Sequence, residues 1–354
     1  MPGEPEVVVR VGMSLSYAGG FWETVEDLVA YERAGLQMVF VPEAYSYDAV
    51  SQLGFIAART EQLEIASGIL QLYSRTPTLT AMTAAGLDYV SQGRFTLGLG
   101  ASGPQVVEGF HGVAYHQPLV RTREVVEVCR KVWRREVLRH EGRHFTIPLP
   151  EGEGTGLGKP LRLINHPVRD RIPIMLAALG PRNVAQAAEI ADGWEPLFYY
   201  PERADDVWGD PLREGAARRD PDLGPLDVVV GAHLAIGEDV EELKAQARAQ
   251  VALYVGGMGA RGRNFYNTLA QRYGFEREAA LVQDHYLAGR KDDAAAAVPD
   301  ELVDLTSLIG PEGFVRDRLA ALRASGATTL NLTPVGRTLD DRLRDVETLR
   351  TLLA

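Results

Sequence analysis

EIASGILQLYSRTPTLTAMTAAGLDYVSQGRFTLGLGAS, residues 64–102, is the stretch whose reading decides the fold. It opens on an apolar run, 64–72, passes through a segment that Pro77 can start as a helix, and ends on a second apolar run, 94–102. Short apolar runs bounded by glycine and proline read as buried strands, and proline suits a first helical turn because its missing N–H has no partner there. Strand, helix and strand in that order imply parallel pairing through a crossover helix.

Working outward, the same alternation recurs on both sides. Before it come a strand at 7–16, a helix at 23–35 in which Val25, Leu28 and Val29 keep helical spacing, a strand at 38–44 and a helix at 48–60 with Asp48 placed to cap it. After it come a helix at 118–135, strands at 172–179 and 194–199 separated by the helix that Pro181 opens, and a strand at 226–237. A long Ala-rich helical region then leads to a helix ending near Gly326, a strand at 328–335 and a closing helix in which Leu343, Val346, Leu349 and Leu353 keep the period. Eight strands apolar on both faces, each followed by helix, predict a closed (β/α)8 TIM barrel. A doubly wound open sheet is the competitor, but the turn after the first strand, SYAGGFW, lacks a nucleotide-binding fingerprint. The whole chain, 1–354, is expected to be one barrel domain with insertions after helix 4 (139–170) and between strands 7 and 8 (254–310).

Composition bounds the function. The 354 residues are 45% hydrophobic and 24% charged, ordinary globular values. A net charge of −11 disfavours nucleic acid and anionic membranes as partners, so an anionic ligand needs a local basic pocket. No apolar run reaches the roughly 18 residues of a membrane span, and the N-terminal MPGEPEVVVR has no secretory pattern, so a cytoplasmic protein is expected. The lone cysteine, Cys129, shares a helical face with Val125, Val132 and Trp133 and reads as core.

Three motifs fail on context. GLGASG (98–103) matches G-x-G-x-x-G, yet 104–115 reads as mixed loop where the dinucleotide fingerprint must open a helix directly. His140, Glu141 and His144 spell H-E-x-x-H, but Gly142 inside it and the β-prone HFTIPLP after it predict a hairpin turning at Glu141 and Gly142, which separates the imidazoles; no metal is expected. GEGTGLGKP (152–160) has Glu153 and Pro160 where a phosphate loop needs glycine and a hydroxyl, and reads as surface loop.

What remains is the set of strand C-termini, where barrels of this kind build their sites. They are small and glycine-rich (Ser14 to Tyr17, Gly68 to Gln71, Gly100 to Pro104, Ala178 to Gly180), which suits a flat ring laid against backbone better than hydrolysis by side chains. The strings SGILQLYSRTP, RFTLGLGASGPQVVEGFHG and IPIMLAALGPRNVAQAAEIADGW resemble the bacterial-luciferase-like superfamily, most closely its branch that uses coenzyme F420, a deazaflavin. The likeness covers almost the whole chain and is strongest over 64–200. It implies a cis peptide at Gly68–Ile69 under the ring, backbone contacts from Ala101, Ser102 and Gly103, and a phosphate site at the helix start formed by Ala178, Gly180, Pro181, Arg182 and Asn183. From the residues alone, a plain strand and an ordinary turn are equally good readings of the first and last of these. Arg75, Arg121, Arg123, Lys159, Arg162, Arg169 and Arg171 are candidates to meet the anionic tail of the deazaflavin, the alternative being solvated surface charge.

For the chemistry, Glu43 is the best titratable candidate, with a structural carboxylate as its alternative; His111 and Glu108 are weaker, and Tyr45, Tyr47, Gln71 and Tyr73 are wall candidates. Sugar-phosphate dehydrogenases of the family carry a glutamate where this chain has Gly103 or Pro104, which argues against that substrate class. The resemblance therefore implies hydride transfer between coenzyme F420 and a small organic substrate, in a homodimer. An FMN-dependent two-component monooxygenase and a non-catalytic cofactor-binding barrel stay open beside it.

Overall fold

A computed structural model describes residues 9–16 and 20–354. Val7, Val8 and Tyr17, parts of the expected first strand and its end, lie outside the described residues. Eight parallel strands form the barrel: β1 (Arg10–Ser14), β2 (Met38–Val41), β3 (Glu64–Ser67), β4 (Phe95–Gly100), β5 (Ile174–Ala177), β6 (Gly193–Glu195), β7 (Asp227–Ile236) and β8 (Thr329–Pro334). Each pairs with the next, and β8 returns to β1 through Gly12 opposite Asn331, so the ring closes.

Helices α1 (Phe21–Arg33), α2 (Ala49–Arg59), α3 (Pro77–Val90), α4 (Pro104–Gly109), α5 (Pro118–Trp133) and α6 (Pro181–Ile190) follow the first five strands. Their starts are written locally. Asp48 accepts from the Ser51 N–H to cap α2, and Thr76 caps α3 ahead of Pro77. Cys129 is fully buried on α5, and burial pushes its thiol well up, so it is a core side chain. Among the described residues no helix is long and apolar enough to cross a membrane.

Three details differ from the sequence reading. Residues 104–109 form the short helix α4 and not mixed loop, because Pro104 starts a turn that Val107 buries. The hairpin exists, pairing His140 with Ile147 and Glu141 with Thr146, but its tip runs from Gly142 to Phe145, one step later than expected. Leu308–Gly310, within the stretch read as an insertion, adds a short parallel strand to the C-terminal end of β7. The rest of 254–310 is mostly helical, and the exposed segment 151–159 contains neither helix nor strand.

Strand alternation and register decide which side chains fill the barrel. Met38, Phe40, Ala66, Met175 and Val229 form an interior core separate from the core under the helices. Below it Arg10 pairs with Glu64 at 2.9 Å and with Asp227, whose other oxygen accepts from Thr329 at 2.8 Å, so the N-terminal end is closed by paired charge. Above it, the same parity places Ser14, Gly98, Gly100, Ala177, Glu195, Gly231 and Asn331 inward. Most of these are small side chains, and Ile69 packs over Gly100 on top of the interior core.

Candidate active site

The mouth is shaped first by a break in the third strand. β3 stops at Ser67, the Gly68–Ile69 peptide is cis, and pairing resumes at Leu70 and Gln71, opposite Leu99 and Gly100. Ser67 locks the break onto β4: its hydroxyl donates to the Gly98 carbonyl at 2.8 Å and accepts the Gly98 N–H at 2.9 Å. Only glycine fits at position 98, since a Cβ would overlap the Ser67 carbonyl oxygen and sit 2.9 Å from Met175 Cε. Two residues further along the strand, a Cβ on Gly100 would meet Ile69 Cδ1 at 2.9 Å and Ala177 Cβ at 3.6 Å. Gln71 is 1% exposed; its amide N–H donates to the Ala44 carbonyl at 2.9 Å, which fixes the amide orientation and leaves Oε1 buried without a partner among the described residues.

Two loops continue the rim. Ala101, Ser102 and Gly103 are half-buried, Ser102 has a positive φ of 57°, and nothing lies within 4 Å of where a Gly103 Cβ would stand. Across the barrel, Ala178 to Gly180 lead into α6, which has no side-chain cap and no acidic residue in its first turn. Two indoles fix that approach, Trp194 donating to the Ala178 carbonyl at 2.9 Å and Trp208 to the Leu179 carbonyl at 3.2 Å. The α6 amides are thus presented from a pinned backbone, with Arg182 exposed and Asn183 half-buried beside them. Beyond β6, Phe198 meets Tyr254 of the long insertion edge-on at 5.6 Å, so the insertion contributes to the wall.

The titratable groups sort differently from the sequence expectation. Both Glu43 oxygens accept from Arg75, each at 2.7 Å, and Oε1 also takes the Ala49 N–H at 3.3 Å, at the start of α2. Arg75 in turn reaches Asp48 at 2.9 Å. This geometry fits the structural alternative for Glu43 and commits Arg75 elsewhere than to a ligand. His111 lies past α4, edge-on to Phe110 at 5.2 Å, with its Nε2 buried and unpartnered. Glu108 accepts from the Tyr115 N–H, and Tyr45 and Tyr47 are exposed. Arg169 pairs with Asp88, and Arg171 with Asp192, at the N-terminal end of the barrel, remote from the mouth. Arg121 lies over the Tyr73 ring at 4.5 Å and the Phe145 ring at 5.0 Å, with an unpartnered Nε.

Two interior groups escaped the sequence reading. Glu195, the last residue of β6, accepts from Asn331 Nδ2 at 2.9 Å, and Asn331 Oδ1 accepts from the Ser14 hydroxyl at 2.9 Å. Burial pushes the Glu195 carboxyl up to about 7, with the Asn331 hydrogen bond pulling the other way. His233, buried on β7 and two residues past Gly231, is pushed down to about 4 by burial and stays neutral. The signal was present: an acid in the apolar WEPLF and a histidine in VVVGAHLAI, each at inward parity.

A family described as luciferase-like monooxygenase matches residues 7–329. The chain belongs to the luciferase-like monooxygenase family. Within it, a Mycobacterium tuberculosis protein provisionally named a coenzyme F420-dependent oxidoreductase is 42% identical over 337 residues, 92% of this chain and 96% of that one. A 5,10-methylenetetrahydromethanopterin reductase of Archaeoglobus fulgidus is 26% identical over 86% of this chain and 87% of its own length. The coenzyme F420-dependent tetrahydromethanopterin reductase of Methanopyrus kandleri shares the fold, with a TM-score of 0.80 over 96% of this chain and 97% of that chain at 21% identity. The luciferase-like family is thus represented here by a closed barrel whose mouth is mostly backbone.

Proposed function

We propose that the protein is a coenzyme F420-dependent oxidoreductase that moves a hydride between the deazaflavin and a small organic substrate. The observation that carries this reading is the mouth itself: a rim that is mostly backbone, from the broken third strand at Gly68–Ile69 to the half-buried Ala101, Ser102 and Gly103, with the buried Gln71 Oε1 an acceptor that no described residue uses. Such a lining receives a flat, hydrogen-bonding ring and offers little to a hydrolytic mechanism. The 42% identity to the mycobacterial protein supports the choice of cofactor. When bound, the deazaflavin supplies a ring carbon that gives or accepts hydride.

The chain's own residues do the holding. Gly68 and Ile69 form the ledge under the ring, Ala101, Ser102 and Gly103 meet it by backbone, and Gly180, Pro181, Arg182 and Asn183, set on the pinned Ala178, offer amides and donors to a phosphate. Arg121 is the cation best placed for further negative charge on the ligand, since its Nε has no partner among the described residues and its ring contacts leave the charge unneutralised. We also infer a homodimer. Leu79, Met82, Tyr89 and Val90 of α3 are exposed along one face, an apolar stripe that a second copy of the chain would cover.

Titration of the purified protein with coenzyme F420 and separately with FMN, followed by quenching of cofactor fluorescence, tests the reading. Micromolar or tighter deazaflavin binding with weaker FMN binding is expected. The reverse order transfers the chain to the flavin monooxygenases, and binding of neither removes the function while leaving the fold.

A further inference from the structure

We propose that Glu195 is the acid–base residue of the reaction, its Oε2 exchanging a proton with the heteroatom of a substrate C=O or C=N bond, while Asn331 and Ser14 act as positioning residues. The inference rests on the deazaflavin reading above and adds to it the proton half of the chemistry.

Position is the first argument. Glu195 pairs with Ala177 on β5, and Ala177 Cβ is the atom that a Cβ on Gly100 would approach at 3.6 Å. Glu195 therefore stands level with Gly100, two strand spacings around the barrel, on the order of 10 Å away. On the strand between them the residue at this level is Ala177, whose side chain is a single methyl group, and Ile69 packs against Gly100. Orientation is the second argument. The Ser14 hydroxyl gives its only proton to Asn331 Oδ1, which turns the Asn331 N–H toward Glu195 Oε1. One carboxyl oxygen is thus anchored, and Oε2 makes no hydrogen bond with a described residue.

Charge is the third argument. Among the inward side chains of β1, β5, β7 and β8, only Arg10, Asp227 and His233 titrate. Arg10 and Asp227 pair with each other at the closed end, and His233 is neutral. Among the described residues no cation holds Glu195 ionised; burial, only partly offset by the Asn331 hydrogen bond, raises its carboxyl to about 7, where it can both give and take a proton, as general acid–base catalysis requires. Reduction of a C=O or C=N bond adds a hydride at carbon, supplied by a reduced deazaflavin, and leaves the π electron pair on the heteroatom. The Glu195 O–H bond breaks, its proton forms the new bond to that heteroatom, and the carboxylate is reprotonated from solvent; oxidation runs the same transfers backward.

The test has a ligand-free arm and a turnover arm. In the ligand-free protein, 13C-carboxyl NMR of labelled glutamate should show one resonance titrating near pH 7 that is lost in Glu195→Gln and moves to higher pH in Asn331→Ala. A Glu195 that titrates in the ordinary carboxylate range overturns the proposal. For turnover, reduced coenzyme F420 is offered with acetone, cyclohexanone, benzaldehyde and 1-pyrroline. Wild type should turn over at least one, and Glu195→Gln should lower kcat about 100-fold or more with its pH limb near 7 gone and cofactor binding within 2-fold. Wild-type activity in Glu195→Gln, or cofactor binding by wild type without turnover of any probe, overturns it as well. Absence of deazaflavin binding sinks the function while the NMR arm still decides the carboxyl.

Discussion

Glu43 and Glu195 are both glutamates beside strand ends, and their neighbours send them to different uses. Glu43 looked the more chemical from sequence because it follows an apolar run, but Arg75, far along the chain, takes both its oxygens, a partnership that strand periodicity cannot reveal. With side chains only 8% and 12% exposed, the pair is held out of water. Replacing Arg75 by methionine would strand a buried carboxylate, and we expect unfolding free energy at pH 7 to fall by about 3 kcal/mol in urea titrations; a loss under 1 kcal/mol would mean the pair is solvated. Gly98 was legible only as part of a motif, GLGASG, whose meaning had to be withdrawn. Its steric role needs the neighbouring break at Ser67 to be known. Gly98→Ala should cost about 3 kcal/mol or more, or prevent soluble expression, because backbone and not a flexible side chain fills the space. Near-wild-type thermal stability of that variant would contradict the packing.

At the level of elements, the apolar runs named all eight barrel strands, since a strand buried on both faces needs an unbroken hydrophobic segment. Leu308–Gly310 was not legible: three residues that extend one edge of β7 carry too short a pattern to distinguish from helix. The RHEGRHF hairpin was readable as a turn, but what secures it was not. Glu124, from the middle of α5, accepts backbone N–H groups of Arg143, His144 and Phe145 at its tip. Burial pushes the Glu124 carboxyl up, and those three donors together with His140 outweigh it and hold the group below its ordinary value. A carboxyl lowered by folding stabilises above its unfolded pKa, and that contribution is lost as pH falls through the folded value. Glu124→Ala should therefore speed amide exchange across 140–147 at neutral pH, by the equivalent of about 2 kcal/mol, and leave β4 and β5 protected. Equal exchange in the two proteins would show that the hairpin is held by other contacts.

For the whole molecule, buried titratable groups, two inside the barrel and one on the last helix, bear on how stability depends on pH. Burial raises Glu195 to about 7 and Asp345, on the last helix, to about 6, so the folded chain binds protons more tightly than the unfolded chain at both sites. Their stabilisation is complete below the ordinary carboxylate range and is lost as pH rises through the folded values. His233 works in the other direction: lowered to about 4 by burial, it contributes stability above its unfolded value near 6.5 that is lost as pH falls toward 4. Between pH 5 and 8 the two acids outweigh the one histidine, so the ligand-free protein should become modestly less stable as pH rises. Glu195→Gln removes the larger acid contribution and leaves Asp345 and His233 nearly balanced. Relative to wild type, the variant should gain about 2 kcal/mol between pH 5 and pH 8, read from urea midpoints at constant slope. Parallel curves for the two proteins would mean that Glu195 has the same proton affinity folded and unfolded, and the barrel interior would then be wetter than its glycine-lined geometry implies.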